Sequence, residues 1–260
     1  MTTLVRALVW PTVRAMRFRP LGGALGVALL VVLVPAVLGV ATEFSLRPDD
    51  HANLLRLAAV CGALGLAFVF DDPAKPSTVA VPAPRWLPAA IRGVAGLAVF
   101  GGWWAAALGV TYAGAARAGG LRLPVPGLTL EVATVGALAL AAGALSWRIT
   151  ARGVGGPVAA PASLGLVLAV AVAPVAPPMV VAASAPAATW GSVHGRWGAL
   201  LALLVAAVVV ACSLDRDAWA ATRTILPASA TGRHAADADP MPGDPALEDV
   251  VGDNVDRRGS

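Results

Sequence analysis

An all-α membrane protein with six transmembrane helices is the fold class this sequence predicts, and three observations predict it. Hydrophobic residues make up 58% of the 260, and mean hydropathy is +0.76. Charged residues make up only 13%, against about 25% in soluble domains. A surface so short of charge cannot face water on every side, so much of its solvent is lipid. The apolar residues also gather into runs of about 20, the length at which a helix rising 1.5 Å per residue crosses a hydrocarbon core.

The N-terminal unit, residues 2–20, is predicted to be an interfacial amphipathic helix. At about 100° per residue, Leu4, Val5, Leu8, Val9, Val13 and Met16 share one arc, with Arg6, Arg14 and Arg17 opposite. A signal-peptide n-region would be shorter than this and would not be followed by several more apolar runs. The membrane domain, residues 21–214, then opens with a first span over Leu21–Ala41. A short polar loop (42–51) leads to a second span from Ala52 to Phe70, with Arg56 near its end, where a long side chain snorkels.

Asp71–Arg92 is the longest polar interruption and holds the only lysine, Lys75. A third span is expected over Gly93–Ala116, a fourth over Leu128–Trp147, and a fifth from Pro157 to about Ala173. Pro174, Pro177, Pro178 and Pro186 then break the pattern, because proline removes a backbone donor and clashes with the preceding turn. Irregular backbone at membrane depth must be buried in protein or line a cavity, so 174–196 is predicted to be an outer re-entrant hairpin. The last span is placed at Trp197–Leu214. The tail, 215–260, is polar, rich in Pro, Asp and Gly, and reads as mostly disordered and cytoplasmic.

Lys and Arg set the orientation. With the N-terminus inside, Arg6, Arg14, Arg17, Arg19, Lys75, Arg85, Arg92, Arg148 and Arg152 are cytoplasmic, together with the arginines of the tail. Six spans return the C-terminus to the same side. Heavy use of Ala, Gly, Arg and Pro with a single lysine points to a bacterial coding bias, so the expected location is a bacterial plasma (inner) membrane, multi-pass, with both termini cytoplasmic.

The chemistry expected of the chain is mostly negative. The basic residues sit beside apolar runs and not in an aromatic-basic stripe, so nucleic acid is not an expected partner. Cys61 and Cys212 fall inside apolar runs, and His51, His194 and His234 are far apart, so no metal is expected. No G-x-x-x-x-G-K-[ST] is present, and the chain is not expected to be an enzyme or to hold a cofactor. Ionisable residues are nearly absent from the spans, which argues against an ion-driven carrier. Glu131, near the outer end of the fourth span, reads as an interfacial helix-start residue. In TWGSVHGRWG (189–198), two tryptophans flank a histidine. That is similar to the tryptophan-rich loops of haem-handling membrane proteins but lacks their further Trp and acidic residues. An aromatic interface belt with an incidental histidine accounts for it.

The order of these parts resembles the permease subunits of ABC-2-type bacterial exporters. The likeness lies in the surface helix, the six spans, the long loop between spans two and three, and the proline-broken segment before span six. It covers about residues 2–214 and is one of layout. It implies a permease subunit of an ATP-driven exporter moving a hydrophobic or amphipathic substrate. ATP and Mg would be bound by a separate ABC ATPase subunit, and the permease would pair with a second copy or a homologous permease in the lipid bilayer. In that family the loop between spans two and three docks on the ATPase as a coupling helix. Here that role would fall on Asp71–Arg92, with Pro82–Arg92 helical and Asp71, Asp72, Lys75, Arg85, Trp86 and Arg92 as contacts. Five prolines in the loop keep any such helix short. The substrate path would lie beside spans two and five, with Trp103, Trp104 and Tyr112 of span three near it. The competing class is a non-transporting assembly or scaffold subunit of a larger complex, a haem-handling protein included.

Overall fold

Pro48 and the acidic pair behind it start a helix in the computed structural model, which describes residues 9–42, 46–71, 86–116, 121–150, 154–172 and 179–213. Residues 2–8 of the predicted surface helix, Asp72, Lys75 and Arg85 of the predicted coupling loop, 174–178, and the tail 215–260 lie outside the described residues. The described fold is all-α. A helical stretch at 9–14 precedes α1 (Phe18–Ala41), α2 (Pro48–Leu66), α3 (Trp86–Ala115), α4 (Val125–Ile149), α5 (Gly156–Val172) and α6 (Ala187–Ser213).

Successive helices alternate in direction. Gly65 near the end of α2 meets Leu21 and Ala24 near the start of α1, and Gly114 at the end of α3 meets Ala36 of α1. The bundle therefore has two ends. One gathers Asp71, the start of α5 and the end of α4; the other gathers Arg56, the start of α4 and the start of α6.

The least apolar helix lies at the centre. α2 packs against α1, α3, α4 and α5, and α4 packs against α2, α5 and α6. Small residues allow this: Ala52, Ala58, Ala59, Gly62 and Ala63 of α2 and Gly136, Ala137, Ala139 and Gly143 of α4 are buried. Where no hydrophobic force drives helices together, close backbone approach through small residues supplies the packing. At Gly65 a Cβ would stand 2.8 Å from the Cα of Leu21, so the α1–α2 crossing requires glycine. Phe100, Trp103 and Trp104 of α3 fill the space beside them, with Phe100 and Trp103 stacked at 5.5 Å. The buried hydroxyls of Thr111 and Ser163 bond the carbonyls four residues back, at 2.9 and 2.8 Å, and so need no water.

The outer helices are apolar on the side away from the core. Val27, Leu30, Val34 and Val37 of α1 and Leu203, Val205 and Val209 of α6 are exposed. Four helices, α1, α3, α4 and α6, have the length and apolarity to cross a membrane. The prediction was six. α2 falls short because Asp49, Asp50 and Arg56 lie in its 19 residues, and α5 because it is 17 residues long.

Two boundaries also differ from expectation. The predicted last span begins at Ala187 and not at Trp197, so the segment TWGSVHGRWG is helical. Pro186 is the last proline before it and sits outside the helix, where its missing N–H costs nothing. Trp86–Arg92 likewise runs unbroken into α3, with Pro88 tolerated in the first turn.

Candidate functional site

Three ionisable residues that look like separate interface positions in the sequence meet at one end of the bundle. Arg56 is in the third turn of α2, Glu131 is in the second turn of α4, and His194 is in the second turn of α6. The helices that carry them each have a local reason to start there. α2 begins at Pro48, and the backbone N–H of Arg47 donates to Asp50 Oδ2 at 3.1 Å. This closes half of a capping box, while Asp49 and Asp50 suit the positive end of the helix dipole. α4 begins after Pro124, and α6 begins after Pro186.

The geometry is that of a forked ion pair with a third arm. Arg56 Nε donates to Glu131 Oε2 at 2.7 Å, and Arg56 Nη2 donates to Glu131 Oε1 at 3.0 Å. Nη2 also donates to the carbonyl of Val181 at 2.9 Å, and Nη1 donates to Asn53 Oδ1 at 3.1 Å. His194 Nε2 lies 3.1 Å from Glu131 Oε1, and its Nδ1 lies 2.8 Å from the carbonyl of Trp190. Trp190 stacks on the imidazole at 4.2 Å, nearly parallel. Glu131 is 4% exposed. A carboxylate buried so deeply stays charged only with partners, and the bidentate guanidinium is the strongest it can have. The predicted role of Glu131 as an interfacial helix-start residue is thereby corrected: its carboxyl group is turned inward onto Arg56 and His194.

The non-helical stretch 179–186 sits over this cluster. It has no backbone ladder to the bundle, and side chains satisfy it: Trp197 Nε1 donates to the Met179 carbonyl at 2.8 Å, and Trp190 Nε1 to the Ala182 carbonyl at 3.1 Å. Asp49 accepts from the backbone N–H and the hydroxyl of Ser184, both at 3.0 Å. These two bonds hold the Asp49 carboxyl below the usual carboxylate range, the backbone bond counting most. Gly127 lies beneath, where a Cβ would collide with Trp190 and His194.

The other end of the bundle holds three of the residues expected to contact an ATPase, Asp71, Trp86 and Arg92. Asp71 is 3% exposed, and its Oδ1 accepts from the backbone N–H groups of Gly155 and Gly156 at 2.7 and 2.9 Å. It caps α5 across 84 residues of sequence, so its carboxylate is committed inward. Arg92 is also buried, while Trp86 is exposed. Trp103 and Trp104, expected beside a substrate path, are core residues, and Trp104 Nε1 donates to Thr129 Oγ1 at 3.1 Å. Tyr112 lies at the surface. The cleft between α2, α4 and α5 at Ser163 has a volume of about 10 Å³, room for about one water and not for a cargo molecule.

Sequence reasoning missed the Arg56–Glu131–His194 meeting because 75 and 63 residues separate the partners. The only available signal was that these three ionisable residues flank spans at corresponding depth. Both ring nitrogens of His194 are engaged by hydrogen-bond partners, which does not favour iron ligation. Among the described residues, no group of three or more His, Cys, Asp or Glu is placed to hold a metal ion. No family model, characterised protein or solved structure matches the chain.

Proposed function

We propose that the chain is the membrane-spanning permease subunit of an ATP-driven exporter of the ABC-2 type, working with a separate ATPase. The observation that carries this reading is the order of parts: helices alternating in direction, with a polar connection between α2 and α3 that contains Lys75 and has no nucleotide-binding motif.

In this reading α2 and α5 complete six spans. Seventeen residues of α5 reach about 26 Å, near the lower limit for a crossing. Asp49 and Asp50 fall in the first turn of α2, and Arg56 is neutralised by Glu131. The end bearing Asp71 is cytoplasmic, because Arg14, Arg17, Arg19, Arg92 and Arg148 lie towards it. The ATPase docks on the connection through Asp72, Lys75, Arg85 and Trp86. Asp71 and the start of α3 at Arg92 pass the push into the bundle, because Asp71 ties the root of the connection to α5. Cargo is apolar or amphipathic and moves along a face between two permease units, which fits the lack of a large cavity within the cleft at Ser163.

Purification of the tagged chain from its native membrane, with a search for a co-purifying ATP-binding-cassette ATPase, tests the reading. The expected result is a complex that co-purifies, with ATPase activity lowered by Lys75→Ala together with Trp86→Ala. A chain that recruits no ATPase overturns it and leaves the scaffold class.

A further inference from the structure

We propose that Arg56, Glu131 and His194 form a releasable clasp that holds the start of α6 and the 179–186 segment against α2 and α4.

Each of the three residues belongs to a different helix, so one carboxylate joins α2, α4 and α6. What else holds α6 matters here. Along most of its length α6 is barely buried, with Leu203, Val205, Val209 and Val210 exposed. Lipid is as apolar as leucine, so in a bilayer an apolar face gains little by staying on its neighbour. Packing of Val193 and Trp197 against Leu130 and Val135 holds only its start, and the polar contacts of α6 with α4 there include His194 to Glu131 and the Thr134 hydroxyl to the Trp197 carbonyl at 3.4 Å. The second of these is long for a hydrogen bond.

The 179–186 segment divides its ties in the same way. Its bonds from Trp190 and Trp197 come from α6 and travel with that helix. Its ties to α2 are Arg56 at Val181 and Asp49 at Ser184. Opening the His194–Glu131 contact and the Arg56–Val181 bond therefore lets α6 and the segment move as one piece, hinged on the Asp49–Ser184 bonds, with the long Thr134–Trp197 contact parting as they move. Arg56 and Glu131 keep each other, so no charge is stranded by the movement. The opened space is a polar groove lined by Glu131, Arg56 and Thr134. The clasp does not rest on the transport reading, and its test involves no ATPase, so the two can fail separately.

Thiol labelling of the full chain in nanodiscs tests it, in a background with Cys61→Ala and Cys212→Ala. Val181→Cys is the reporter, since Val181 is buried and its backbone carbonyl is unchanged. Ala59→Cys, deep in the α2 core, reports loss of the whole fold. His194→Phe keeps a ring on Trp190 and removes the bonds; Arg56→Met with Glu131→Leu removes both charges at once and leaves no buried ion alone. A water-soluble maleimide is expected to label position 181 about tenfold faster or more in both variants, with position 59 still protected. An unchanged rate at 181 in both overturns the clasp. So does exposure of 181 and 59 together, which would make the trio a support of the entire fold.

Discussion

Arg56 on α2 grips Glu131 on α4 through two parallel N–H···O bonds, at 2.7 and 3.0 Å, with the carboxylate 4% exposed. A fork of this kind adds direction to attraction, and it fixes the rotation of both helices at the point where they cross. Removing one partner strands the other. Arg56→Met alone or Glu131→Leu alone is expected to destabilise the bundle by roughly 3–5 kcal/mol, while the double variant loses far less. Unfolding of all four proteins in mixed detergent gives the coupling energy, and additive losses would contradict it.

Asp71 is the corresponding tie at the other end. Asp71→Ala leaves the N–H groups of Gly155 and Gly156 without their acceptor and should cost about 0.5–2 kcal/mol, as for a lost helix cap. Asp71→Asn keeps an oxygen and should lose less. Amide hydrogen exchange at Gly155–Ala159 reads the difference, and equal protection in wild type and Asp71→Ala would rule out the cap.

Glycines at the same end of the bundle, in α4 and α6, respond in opposite ways. Gly127→Ala drives a methyl group into Trp190 and His194, and overpacking of this kind costs about 1–3 kcal/mol. Gly195 has open space around it, so Gly195→Ala should be neutral or stabilising by up to about 1 kcal/mol through helix propensity. Thermal melting of the two variants beside wild type decides. A Gly127→Ala protein as stable as wild type would mean that Trp190 and His194 yield freely.

Asp49 gives the pH dependence of the segment it holds. Its carboxyl is lowered by the Ser184 bonds, so the attachment is fully present above the usual carboxylate range. It is lost as pH falls below that range and through the lowered value of Asp49. The Ser184 amide resonance, followed by selective ¹⁵N-serine labelling, should shift in that acid window and should show no such step in Asp49→Asn. A midpoint at or above the ordinary range would contradict the direction.

Much of this protein could be read from local sequence, and the rest depended on which helices met. Long apolar runs made α1, α3, α4 and α6 legible, because a helix that satisfies its own backbone and is apolar all round has few other uses. Pro186 also marked a break, although the helix resumed at once behind it and absorbed Trp190 and His194. The sequence by itself determined an all-helical chain for lipid, with its charges at the ends of helices. Only the tertiary structure decided what those charges do. Arg56, Glu131 and His194 each read as an interfacial residue when taken alone, and Asp71 as part of a docking loop. Alternating helix directions brought the first three to one end and Asp71 to the start of α5. Pairing across 63 to 85 residues leaves no local pattern, because it is set by helix order and small-residue packing at Gly65 and Gly143 and not by any spacing along the chain.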